Sequence, residues 1–177
     1  MMRATASTQV CLDRWPGRAG LEQWEVLLLA GPFLAAALCP STRLATWLEV
    51  DPARTAFDDR LLHGDDPVAA YADFAASAPA FLDSAVEHVS TLFPPVRPRL
   101  GYLEVRFPDA RPASQVHQMV GGLAVLLYDD ERRRDALASL RGEQGRLADH
   151  WQAAASGELD PERGSTLLGL PAGAVAA

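Results

Sequence analysis

The chain has 177 residues and a formal net charge of −7, with 23 acidic side chains against 16 basic ones. That balance excludes nucleic acid or an anionic membrane as the principal partner, because both would repel such a surface. The length is enough for one domain with a real core, and all the basic residues are arginine, so no P-loop lysine is present.

Met1 to Gln9 carries no apolar run behind Arg3, so no secretory leader is read there and the cytoplasm is the expected compartment. Residues 4 to 12 lack a helical stripe and are followed by Asp13 and Pro16-Gly17, which predicts a strand and a turn. On a period of two, Ser7, Gln9 and Cys11 fall on one face of it and Thr8, Val10 and Leu12 on the other. From about Gly20 to Leu38 strong helix formers predict a central core helix, with Leu21, Trp24, Leu28 and Phe33 near one stripe and a bend at Pro32. Its apolar run, Val26 to Cys39, is about two-thirds of the length that spans a bilayer, so it reads as a buried helix and no membrane partner is expected. Cys11 and Cys39 stand at no metal or redox spacing and read as small buried hydrophobes.

A second strand is expected over residues 44 to 50. Asp65 or Asp66 is placed to cap a helix from Pro67 to Ala78 with Val68, Tyr71, Phe74 and Ala75 inward. Pro79 breaks it, and Ala80 to Leu92 is expected to restart a helix with Phe81, Leu82, Val86 and Val89 inward. Pro94, Pro95 and Pro98 then hold the backbone stiff and extended until Gly101 releases it into a strand over 101 to 107. Leu103, Val105 and Phe107 share its core face, while Tyr102, Glu104 and Arg106 share the other. Glu104 and Arg106 are then roughly 7 Å apart along the strand, either solvated on an open face or placed to serve one ligand between them.

Ala113 to Tyr128 reads as a helix buried on most sides, with Gly121-Gly122 at a point of close approach. Asp129-Asp130 caps an amphipathic helix through Leu137, Leu140, Leu147 and Trp151, and its acids offset the cluster Arg132-Arg-Arg134. Residues 1 to 156 form one domain, and the Gly-, Pro- and Ala-rich residues 157 to 177 are expected to be a loosely held tail. His63, His88, His117 and His150 have no partner at zinc spacing, and there is no Gly-x-Ser-x-Gly elbow, so zinc and serine-hydrolase chemistry find no support.

Three segments point to a family. Thr5-Ala-Ser-Thr-Gln-Val-Cys-Leu-Asp13, the pair Ser41-x-Arg43-x-x-x-Trp47 and Asp51-Pro-x-Arg54-Thr55, and the run Thr91-Leu-Phe-Pro-Pro-Val-Arg97 with Tyr102-Leu-Glu-Val-Arg106 and Asp109-Ala110 resemble the plant-type and actinobacterial glutamate–cysteine ligases. That branch includes the first enzyme of ergothioneine synthesis. The resemblance lays the chain against the second half of such an enzyme. It implies that the DNA upstream of Met1 encodes a glutamate-rich first half, and that the interior lacks a loop of about ten residues before Arg43 and one of about thirty between the helices flanking Pro79.

The fold implied is α+β: a small antiparallel sheet covered by helices on one face, half of a glutamine-synthetase-like carboxylate–amine ligase fold. The resemblance also implies ATP and magnesium as cofactors, with glutamate and cysteine as substrates. It makes Glu104 a magnesium ligand, Arg106 and Arg43 catalytic contacts, Arg106 to the transferred phosphate, and Gln9 a cofactor contact. A half sheet leaves edges unpaired, so a completing N-terminal half or a second copy is expected as partner, and the lone chain is expected to be inactive. The alternative is a non-catalytic remnant or accessory protein that keeps only the fold.

Overall fold

A computed structural model describes residues 7–39, 41–80 and 82–171. Strand β1 (Val10–Asp13) leads through Gly17, at φ 63°, into helix α1 (Gly17–Leu38). The helix continues through Pro32 and is buried along nearly its whole length. Among the described residues it is the one helix long and apolar enough to cross a membrane, and 83% of its most apolar window is covered by the rest of the protein. Packing therefore accounts for its composition. The last carbonyls of α1, which have no partner within a helix, are met by the Asp109 amide and the Arg111 guanidinium at Leu38 and by Arg111 again at Ala37.

Short helices α2 (Ser41–Leu48) and α3 (Pro52–Thr55) follow, then a 3₁₀ turn over Asp59–Leu62. The strand expected over residues 44 to 50 is therefore corrected to helix. Leu44, Trp47 and Leu48 repeat at helical spacing and turn towards the core, and the Thr46 hydroxyl bonds the Thr42 carbonyl one turn back. Helix α4 (Pro67–Ser77) begins as expected, with the Asp66 carboxylate accepting from the amides of Val68 and Ala69 and Pro67 in the first turn.

The next helix is shorter than its sequence suggests. Helix α5 (Ala85–Ser90) begins at a Ser84 cap, and Leu82 and Val86 are exposed where they were expected to be inward, while Phe81 lies outside the described residues. With Leu82 and Val86 exposed, burial does not extend the helix.

Strands β2 (Val96–Pro98) and β3 (Tyr102–Val105) form a hairpin, and the three-stranded sheet runs β1-β3-β2, antiparallel throughout. The stiff proline entry is thus itself a strand, with Pro98 tolerated because β2 is an edge. Val10, Leu12, Val96, Leu103, Val105 and Phe107 are buried on the core face, as alternation in the sequence requires.

The remaining helices are α6 (Ala113–Tyr128), α7 (Asp130–Leu140), α8 (Leu147–Ser156) and α9 (Pro161–Leu167). The single amphipathic helix expected from Asp129 through Trp151 is divided by a 3₁₀ turn at Arg141–Glu143 and by Gly145 at φ 84°. Residues 157–171 also differ from the loose tail expected. Helix α9 lies so close to α1 that a Cβ on Gly164 would meet the Phe33 carbonyl oxygen at 2.1 Å. Gly122 provides the close approach expected at Gly121-Gly122, against the Leu168 backbone, whereas Gly121 faces open space.

Candidate functional site

The polar face of the sheet holds the candidate site. Pairing sets Cys11, Glu104 and Arg97 in one row across the three strands, and Asp13, Tyr102 and Arg99 in the next. Gln9 lies one residue outside β1, exposed, and by alternation stands across from Arg106. Cys11 is exposed on this face, not buried as expected, while Cys39 is buried at the end of α1.

This face is not open on its β2 side. Tyr71 of α4 and the turn around Leu92 and Phe93 come against it, and Glu104 and Arg97 are each only 7% exposed. Glu104 is surrounded by three guanidinium groups. Its Oε1 lies 3.7 Å from Arg106 Nε, and its Oε2 lies 3.6 Å from Arg99 Nε and 4.0 Å from Arg97 Nη1. All three separations are ion-pair distances longer than a hydrogen bond. The Leu92 carbonyl accepts from both Arg97 and Arg106, holding the two groups side by side, and Arg106 also lies over the Phe93 ring at 5.7 Å.

The electrostatics follow from three positive groups sharing one negative. Burial and the neighbouring Arg97 lower the Arg106 guanidinium to about 10, against a weaker opposing pull from Glu104. Burial raises the Tyr71 phenol, and the charges of Arg97, Arg106 and Arg99 draw it partly back. The Tyr71 hydroxyl lies beside Arg97 without completing a hydrogen bond of good geometry.

Of the residues named from the sequence, the structure brings Glu104 and Arg106 into contact and places Gln9 at the rim. Arg43 lies elsewhere. From α2 its Nη1 donates to the Phe107 carbonyl at 2.8 Å and to Cys39 Sγ at 3.3 Å, and its Nε lies 3.7 Å from Asp109. It makes no hydrogen bond or ion pair to Glu104 or Arg106 among the described residues. Arg97, Arg99 and Tyr71 were missed as site residues. Arg97 and Arg99 share a face of an extended run two residues apart, the same signal that singled out Glu104 and Arg106, whereas Tyr71 is joined to them only by the packing of α4.

Magnesium does not fit this arrangement by itself. A hard cation needs several oxygen ligands, but no group of three His, Cys, Asp or Glu side chains able to hold a metal occurs among the described residues. The single carboxylate present already faces three cations. A separate cleft of about 800 Å³ between α1 and α7, lined in part by Leu21, Glu25, Leu62 and Leu137, contains none of these residues.

A small antiparallel sheet, a mainly helical cover and an acid–arginine pair on the sheet's polar face accompany a family match over almost the entire chain. Residues 1–164 match glutamate-cysteine ligase family 2, and the chain belongs to that family. It is 29% identical over 199 positions to the glutamate–cysteine ligase EgtA of Mycolicibacterium smegmatis strain ATCC 700084, covering 88% of this chain. The chain spans about half the length of that relative, 46%. The matched span exceeds the 177 residues of this chain, so the relative carries residues there that this chain lacks, which accommodates the shortened loops read from the sequence. No solved structure matches.

Proposed function

We propose that this chain is the part of an ATP-dependent glutamate–cysteine ligase that contributes the arginine-rich side of the active site, and that it forms γ-glutamylcysteine only with a completing polypeptide. The observation that carries this reading is the contact of Glu104 with Arg106 on one strand face of a chain from this family. Arg106 is suited to orient an oxygen-rich anion, because a planar guanidinium binds two oxygens at once. In the complete site Glu104 would join carboxylates from the partner in holding magnesium, with Gln9 at the rim towards ATP and Arg43 supporting the site through the Phe107 carbonyl. We place the protein in the cytoplasm.

The sheet supplies a place for the partner. The amides of Thr8 and Arg14 bond across to Pro108 and Gly101, so the alternate residues Cys11 and Asp13 turn their N–H and C=O groups to the outer edge of β1. No other described strand lies along that edge. A strand from an N-terminal half, or from a second copy, would pair there and bring acids over the arginine-rich face.

Purified chain incubated with Mg-ATP, glutamate and cysteine should give no dipeptide. Co-purification with the N-terminal half of the M. smegmatis relative should restore it, with loss on Glu104→Gln. Dipeptide from the lone chain would refute the need for a partner, and none from the reconstituted pair would refute the ligase reading.

A further inference from the structure

We infer that the chain by itself is a receptor for a small phosphoryl oxyanion, bound without a metal by Arg97, Arg99, Arg106 and the Tyr71 hydroxyl, with Glu104 as an internal counter-anion that the ligand displaces. The inference concerns the same face as the ligase reading but does not depend on catalysis. Three observations carry it.

The first is unspent donor capacity. The Nε groups of Arg97, Arg99 and Arg106 and the hydroxyl of Tyr71 are buried and have no hydrogen-bond partner, although Arg97 and Tyr71 are more than nine-tenths covered. Buried donors of this kind are costly to leave unmet, and four of them on residues grouped around one carboxylate are what an anionic ligand would satisfy. Glu104 does not meet the need, since its carboxylate stays at 3.6 to 4.0 Å from all three arginines and its Oε2 has no hydrogen bond either.

The second is charge. Three guanidiniums and one carboxylate leave two positive charges unmatched, and Asp13, the other acid on this face, is at the exposed edge strand. A monocarboxylate presents two oxygens in a plane and one charge. A phosphoryl group presents three oxygens in a pyramid and up to two charges, which matches three converging forks. The third is access. The Arg99 side chain is 41% exposed, and Cys11 and Tyr102 are also exposed, so the face is accessible from the β1 side, while Arg97 and Arg106 are more deeply covered.

The sign of one substitution separates this arrangement from a metal site. If Glu104 held magnesium, its loss would weaken phosphate binding, whereas if Glu104 competes with the anion, its loss would strengthen it. Titration calorimetry with inorganic pyrophosphate in EDTA should show saturable binding to the full chain, weakening with added salt. Arg97→Gln and Arg99→Gln should each weaken it by about tenfold or more, and Glu104→Gln should tighten it by about tenfold. L-glutamate in place of pyrophosphate should bind far more weakly. Thermal denaturation gives a second measurement: pyrophosphate should raise the midpoint of the parent, and of Glu104→Gln by more. If Glu104→Gln does not fold, the partly exposed Arg99→Gln and the comparison of EDTA with magnesium still decide.

Binding that requires magnesium and is lost in Glu104→Gln overturns the inference and leaves the ligase reading intact. Absence of binding under all conditions, or equal binding of glutamate, also overturns it. Pyrophosphate binding in EDTA by a chain that makes no dipeptide when reconstituted supports the receptor and refutes the ligase reading.

Discussion

Truncating Arg133 should be among the most damaging single changes to the fold. The side chain is fully buried at the junction of α1, α6 and α7. Its Nε and Nη2 donate to Glu22 Oε2 at 3.3 and 3.2 Å, Nη1 to the Leu127 carbonyl at 2.7 Å, and Nη2 also to Asp130 at 2.6 Å. The guanidinium lies 5.4 Å from the centre of the Trp15 ring. Arg133→Ala leaves the buried Glu22 carboxylate with only Arg18 and the more distant Arg134, leaves the Leu127 carbonyl to the longer bond from the Gln23 amide at 3.4 Å and opens a cavity beside Trp15. Breaking a buried ion pair from one side costs about 3–5 kcal/mol, which for a chain of this size lowers the melting midpoint by about 6 to 20 °C. Urea denaturation of the parent and Arg133→Ala at neutral pH measures it. The double variant Arg133→Met with Glu22→Leu should recover most of the loss, because it removes both charges and refills the space. A loss below about 1 kcal/mol in Arg133→Ala, or a double variant no better than the single, would refute the view that an uncompensated buried charge is the cause.

Gly164→Ala should destabilise although alanine is ordinarily the better helix former, since its Cβ would meet backbone atoms of Phe33 and α9 would have to move off α1; a raised melting temperature would contradict that packing. Acid should loosen the contact of α9 with the 3₁₀ turn at Arg141–Glu143. Burial alone would raise the Glu143 carboxyl, but hydrogen bonds from Arg163 and His150 outweigh it and hold the group below its ordinary value of 4.5. A lowered carboxyl contributes stability that is present above its unfolded value and lost as pH falls through the folded one, so the melting temperature should fall below about pH 4.5. Glu143→Gln should flatten that acid limb while lowering stability at neutral pH, and an unchanged acid limb would count against the assignment.

The parts of the fold legible in sequence were those where one periodicity dominated. Alternation along 101 to 107 placed Leu103, Val105 and Phe107 correctly, and the caps at Asp66 and Asp129 marked helix starts because their carboxylates reach amides two or three residues on. Residues 44 to 50 misled because Leu44, Thr46, Leu48 and Val50 alternate as a strand would, while Leu44, Trp47 and Leu48 also fit a helix. Contact with α8 decided between them, and that contact is not local. Helix α9 was hidden for a similar reason. Gly164 weakens the helix locally, yet it is the residue that lets α9 lie against Phe33.

That Glu104 and Arg106 share one strand face was legible in the sequence, but their surroundings were not. Polar side chains on the second face of a strand are ordinarily solvated, and Asp13 and Tyr102 are exposed in that way. Glu104 departs from it because Tyr71 and the Leu92–Phe93 turn cover the β2 side of the sheet. Once the face is half covered, charge balance becomes decisive. A carboxylate among three arginines is neutralised several times over and gains little from a further cation, while the arginines remain short of anionic oxygen. The polar face therefore favours an anion before a metal. A complete ligase site requires further acids over the arginines to reverse that preference, and the outer edge of β1 is the side of the sheet from which another strand can bring them.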